Sequence, residues 1–214
     1  LDLALHNYEA ANGFIPAASI TTAASNNPPY PTQYWFGLVI SPPPTYASSC
    51  DPRGGIISPF YEANTSVTKC PVMISPPVTL VYGGATGGYA FNADLANRRF
   101  ASIQSTSTTL AFCDAVYLNP DGTMQESTAL RGPGTNTGEY MVADQPWGFY
   151  GFNFTAFRHT SGYAIAAYLD GHVETVAFQD NVPDPGFAAG AFSTARKANQ
   201  LGFVSADNTV YFPQ

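Results

Sequence analysis

Charge is scarce in this sequence: only 11% of its 214 residues are Asp, Glu, Lys or Arg, where about a quarter is usual. Eight are basic and 15 acidic, giving a net charge of −7 and a pI near 4.6. Phosphate recognition rests on clustered Lys and Arg, so this balance excludes an electrostatic grip on nucleic acid. Long apolar runs are also missing: no stretch of about 18 apolar residues that could span a bilayer is present, and the first residues do not read as a basic-plus-apolar leader. Cys50, Cys70 and Cys113 form no C-x-x-C pair, which disfavours a zinc pattern. No Gly-x-Ser-x-Gly elbow supports a serine hydrolase. Gly83-Gly-Ala-Thr-Gly-Gly88 lacks the Lys-Ser/Thr end of a phosphate loop and reads as a turn between strands.

Apolar and aromatic residues are plentiful, at 45% and 14%, beside 19 Gly and 18 Pro. That is enough for one sizeable core in one domain built of strands and loops, with little helix. Cys50 and Cys70 are the natural disulfide pair, closing a loop through Pro52, Gly54, Gly55 and Pro59. In the loop-entropy model such a bond stabilises by roughly 3 kcal/mol and fits an oxidising compartment. Cys113, in Leu110-Ala-Phe-Cys-Asp-Ala-Val116, has no basic neighbour to activate a thiol and reads as core filler.

Leu1, Leu5, Tyr8 and Ala11 recur at helical spacing, flanked by Leu3 and Ala4 and stopped by Gly13: the tail of an amphipathic helix. So short a helix is marginal alone, so its stripe is expected to dock on the rest of the chain and to continue upstream. Tyr34–Ile40 reads as a strand or a helical turn. Val78–Tyr82, Gly88–Phe91, Thr108–Cys113 and Phe149–Phe154 read as strands. Near the end, Ala188–Gln200 reads as a short helix and Asn208–Phe212 as a last strand.

Tyr163–Leu169 and His172–Phe178 flank Asp170-Gly171, the dipeptide of a two-residue hairpin turn. A two-residue loop sets Tyr168 opposite Val173, Ile165 opposite Val176 and Tyr163 opposite Phe178. The first strand is apolar on both faces, which places it inside its sheet.

Several of these words resemble a family of bacterial prepilin-like (pseudopilin) proteins. Leu3-Ala-Leu-His-Asn-Tyr8 with Gly13-Phe14 and Pro16 resembles the end of the family's N-terminal helix. Ser58–Asn64 with Lys69-Cys-Pro71, and Gly88-Tyr-Ala-Phe-Asn-Ala93, resemble its middle. Arg158-His159 with Asp170-Gly171-His172-Val173 resembles its closing His-to-Asp-Gly signature, with ten residues between His159 and Asp170 where nine are usual. The resemblance implies an α+β, pilin-like fold: residues 1–13 as the end of the N-terminal helix, packed on an antiparallel sheet in a β-rich head of residues 14–214 with long Pro/Gly-rich loops. It also implies a prepilin leader, peptidase processing, and assembly with copies of itself and other pilin-like subunits through an apolar helix ahead of Leu1. Its place is then the inner membrane and periplasm before assembly, and the cell surface or an extracellular filament afterwards.

The candidate site residues read as structural. Asp170 suits a turn beside Gly171. His159 sits in the loop entering the central strand, where its ring can satisfy a buried backbone group. His172 and Glu174 share a strand face, spaced as ligands or an ion pair would be, and read as a solvated face. Asp180, Asn181 and Asp184 offer oxygens of the kind calcium takes in some related major pseudopilins, whereas Pro183 and Pro185 explain the 180–186 stretch as a plain loop and EF-hand spacing is absent. No cofactor and no catalytic residue is expected. The functional expectation is a structural subunit of a bacterial filament or secretion pseudopilus. The alternative is a surface or extracellular carbohydrate-binding module, with Trp35 and Trp147 stacking on sugars.

Overall fold

The computed structural model describes residues 1–21, 31–40, 50–62, 64–73, 77–119, 121–130, 132–133, 152–180 and 191–212. The chain is α+β, with a helix at its start and most of its regular structure in two sheets. Helix α1 (Asp2–Asn12) ends at Gly13, whose φ of 80° is the left-handed stop that lets its N–H bond Glu9 O. Ala4 and Leu5 are buried, Leu1 and Tyr8 pack beside them, and Ala11 and Leu3 face outward. Among the described residues no helix is long and apolar enough to cross a membrane.

The first sheet is an antiparallel meander of β1 (Ser19–Thr21), β2 (Thr32–Tyr34), β3 (Gly37–Val39) and β4 (Cys50–Asp51). Tyr34–Ile40 is therefore a hairpin, with Trp35 and Phe36 at its turn. The second sheet is organised by β6 (Leu110–Leu118), nine residues long and buried almost throughout. Its first half pairs with β10 (Tyr163–Tyr168) and β5 (Tyr89–Asn92); its second half pairs with β9 (Phe152–Ala156) and β7 (Met124–Gln125). Strands β8 (Ala129–Leu130), β11 (Val173–Ala177) and β12 (Leu201–Gly202) join β5, β10 and β9, and helix α2 (Ala191–Ala198) precedes β12. The β5–β8 pair is parallel, so this sheet is mixed, where an antiparallel one was expected.

Strand β10 lies between β11 and β6, as its two apolar faces require. The hairpin register differs by one residue from expectation: Ala167 faces Val173, Ile165 faces Thr175 and Tyr163 faces Ala177. The loop has three residues, Leu169 to Gly171, closed by Tyr168 N–H on His172 O and Gly171 N–H on Tyr168 O, with Gly171 at φ 94°. A turn followed by one left-handed residue is the next hairpin solution after the two-residue loop, and Asp-Gly serves both. Two other expected strands are absent: Val78–Tyr82 carries only the isolated bridge of Thr79 to Gln125 before entering a turn at residues 81 and 82, and Asn208–Phe212 is a turn closed onto Asn208 O.

Two apolar clusters result. In one, Ala4 and Leu5 of α1 join Phe91, Ala111, Phe112 and Leu169 with Trp35, Phe36 and Ile57. The other gathers Val116, Leu118, Phe152, Phe154, Phe203 and Tyr211. Asn92 is fully buried and its amide donates to Leu110 O and Tyr211 O, 2.8 Å each, which ties the C-terminal turn to the central strand.

The glycine turn at 83–88 wraps around a carboxylate of the chain itself. Glu126, 3% exposed, accepts Tyr82 N–H at 2.6 Å, Gly84 N–H at 3.2 Å, Thr86 N–H at 3.3 Å and the Thr86 hydroxyl at 2.9 Å. This anion nest is already filled by Glu126. Glu126→Gln keeps the shape but turns an NH2 toward N–H donors, so it is expected to cost about 2 kcal/mol in urea unfolding. An unchanged midpoint would show that the nest does not depend on charge.

Candidate functional site

The change of partners along β6 leaves backbone groups without ladder bonds, and a buried polar cluster supplies them. Asp114, fully buried at the junction, accepts Ile165 N–H at 2.7 Å where the β6–β10 pairing ends. Arg158, just past β9, donates to Met73 O at 3.1 Å, Gly88 O at 3.2 Å and Ala115 O at 2.6 Å. Its Nε lies 4.0 Å from Asp114 Oδ1, with both side chains essentially buried. Burial pulls the Arg158 guanidinium below its ordinary pKa, and the Asp114 charge opposes that shift.

His159 completes the cluster from the partly exposed side. Its Nε2 lies 3.0 Å from Asp114 Oδ2 and 3.5 Å from Cys70 Sγ, 89 positions away in the chain. The His159 backbone N–H bonds Tyr163 O. The ring therefore meets a carboxylate and a thiol, where the sequence pointed to a backbone group. Cys70 reaches this point because its N–H bonds Gly87 O at 2.7 Å, laying residues 68–70 against the glycine turn. Burial, then the nearby Asp114 charge, push the Cys70 thiol up to about 11, so it is an S–H at neutral pH. A thiol–imidazole–carboxylate relay uses opposite ring nitrogens. Here one nitrogen faces both partners, which is not the geometry of a nucleophile and its base.

The expected Cys50–Cys70 disulfide is not formed: all three cysteines are free. The Cys70 sulfur is turned into the Asp114–His159 cluster, while Cys50 lies on β4 opposite Val39 with its sulfur packed under Gly37. Nearness in sequence does not aim two side chains at each other. With all three thiols free, the cysteines do not point to an oxidising compartment.

The other candidate residues serve the hairpin. The Asp170 carboxylate accepts His172 N–H at 3.1 Å and pairs with the His172 ring, and these bonds hold it below the usual carboxylate range. The left-handed residue is Gly171, beside it. His172 stacks on Tyr168, ring centroids 4.5 Å apart, and Glu174 accepts the Tyr168 hydroxyl. Strand β11 is exposed except at Val176, which packs against the core. In the 180–186 loop Asp180 is held by Arg196 at 2.9 Å; Asn181 and Asp184 lie outside the described residues. Trp35 is fully buried, donating to Thr128 O and packed edge-on against Phe36 and Phe112, so it offers no face to a sugar; Trp147 lies outside the described residues.

Asp114 is the residue that sequence reasoning missed. It sits in an apolar stretch where a lone carboxylate is costly unless partnered, and that contrast was the available signal. Comparison of the chain with protein-family models, with curated proteins and with solved structures finds no match.

Proposed function

We propose that this chain is the head of a pilin-like structural subunit that assembles with copies of itself at the cell envelope or in a surface filament. The observation that carries the reading is helix α1 laid on the large sheet. Ala4 and Leu5 are buried in the same apolar cluster as Phe91, Phe112 and Leu169, and His6 Nε2 lies 2.8 Å from Leu169 O. An N-terminal helix seated on the face of a β-sheet is the arrangement the sequence words of the prepilin-like family imply. An apolar helix buried among neighbouring subunits would hold the fibre, and the Pro/Gly-rich, low-charge head would form its outside.

The test is the reading frame ahead of Leu1, followed by expression with that segment in a host that has a prepilin peptidase. A short basic leader and about 20 apolar residues are expected, with the processed protein sedimenting as filaments. A secretory signal peptide joined directly to Leu1, with a monomeric product, overturns the reading.

A further inference from the structure

Three metal-ligating side chains converge where β6 changes partners. Cys70 Sγ, Asp114 Oδ2 and His159 Nε2 come from a loop, a central strand and the turn before β10. Their ligand atoms all lie within 4.8 Å of one another. The 3.5 Å and 3.0 Å contacts share one nitrogen, so the donors surround a point instead of pairing along a line. In a tetrahedral zinc site, bonds of about 2.3 Å to sulfur and about 2.0–2.1 Å to nitrogen or oxygen set neighbouring ligands about 3.6 Å apart for S and N, and about 3.4 Å for N and O. The observed spacings are within a few tenths of an ångström of these. Asp114 is fully buried and its two oxygens are divided: Oδ1 faces Arg158 Nε at 4.0 Å, while Oδ2 is turned to His159 Nε2 and Ile165 N–H.

We propose that Cys70, Asp114 and His159 form a mononuclear site for a divalent transition-metal ion of the zinc class, with solvent as fourth ligand on the exposed side of His159. A thiolate, an imidazole and a carboxylate together favour zinc or cobalt over calcium or magnesium, which take oxygen alone. On binding, Cys70 releases its S–H proton to solvent as the sulfur–metal bond forms, and His159 carries its proton on Nδ1 so that the Nε2 lone pair reaches the ion. Thiolate and carboxylate then balance the charge of the ion. Arg158 is the opposing charge, and its terminal nitrogens stay committed to three carbonyls. The ion would join residue 70, β6 and the entry to β10 into one cross-link. This inference stands on the cluster alone and does not depend on the filament reading.

Titrating the unaltered chain with cobalt chloride is expected to give a thiolate-to-cobalt charge-transfer band that saturates at one equivalent. X-ray absorption of the zinc-loaded protein should show one sulfur neighbour with nitrogen and oxygen making up the rest. Cys70→Ser should abolish the band, His159→Ala should weaken zinc binding by more than the roughly 10–100-fold that loss of an outer-shell partner costs, and Cys50→Ser should leave both unchanged. A band that survives Cys70→Ser, a band lost in Cys50→Ser, or a zinc shell without sulfur in the unaltered protein overturns the site. The absorption measurement decides the matter even where Cys70→Ser does not fold.

Discussion

Asp114→Ala is expected to destabilise the fold by about 3–5 kcal/mol, the usual consequence of removing one partner of a buried charge pair. Three losses coincide. Arg158, whose side chain is 1% exposed, keeps its charge inside the protein with no carboxylate beside it. Ile165 N–H loses its acceptor where the ladder to β10 stops, and His159 loses the group that orients its ring. A methyl group replaces none of these and leaves room for water beside an apolar strand. Urea unfolding followed by the fluorescence of buried Trp35 measures the effect. Asp114→Asn, which keeps an oxygen for Ile165 and removes only the charge, is expected to fall between the two. A loss below about 1 kcal/mol for Asp114→Ala, the size of an ordinary substitution, would falsify the view that this carboxylate anchors the split sheet.

Gly87→Ala is expected to cost more than about 4 kcal/mol or to prevent folding, because two independent penalties meet there. The residue has φ +65°, which an L side chain rarely adopts. A Cβ at Gly87 would also sit 1.0 Å from Thr68 O, 2.1 Å from Thr68 C and 2.9 Å from Lys69 N. All three are backbone atoms, so no rotamer change relieves the overlap, and the 68–70 segment must lift away, taking Cys70 from His159. Gly84→Ala separates the two penalties: φ is +81° there, but the nearest atom is Leu80 Cδ1 at 3.8 Å. It should cost only about 1 kcal/mol, from the backbone conformation. Melting temperatures of the two variants check the contrast; equal values would mean that the close approach is not what Gly87 provides.

What could be read beforehand was local. The helix stop at Gly13, the central position of Tyr163–Tyr168, β5 and the first half of β6 follow from glycine conformation and from apolar patterning, which act within a few residues; the second half of β6, from Asp114 to Leu118, was not expected as strand. The hairpin register was lost by one because Asp-Gly fits both a two- and a three-residue loop, and only the pairing of Tyr168 with His172 decides between them. Asn208–Phe212 has strand composition, but its apolar rings are spent closing a core instead of extending a sheet. The Cys70–Asp114–His159 cluster was illegible for a related reason. Its members lie on three distant segments, brought together by the approach of Thr68 to Gly87 and by the change of partners along β6, and neither event leaves a spacing in the sequence.

The tie from Asn92 to Tyr211 also bears on synthesis. The central strand has its main-chain partners at residues 89–91, 124–125, 152–155 and 166–168, and the rings of Phe203 and Tyr211 reach the same cluster from later still. Loop closure over such separations must precede the reward of burial. A ribosome making this chain therefore carries a β6 whose apolar cover is incomplete until Tyr211 has left the exit tunnel, and during that interval the nascent chain is a substrate for holding chaperones.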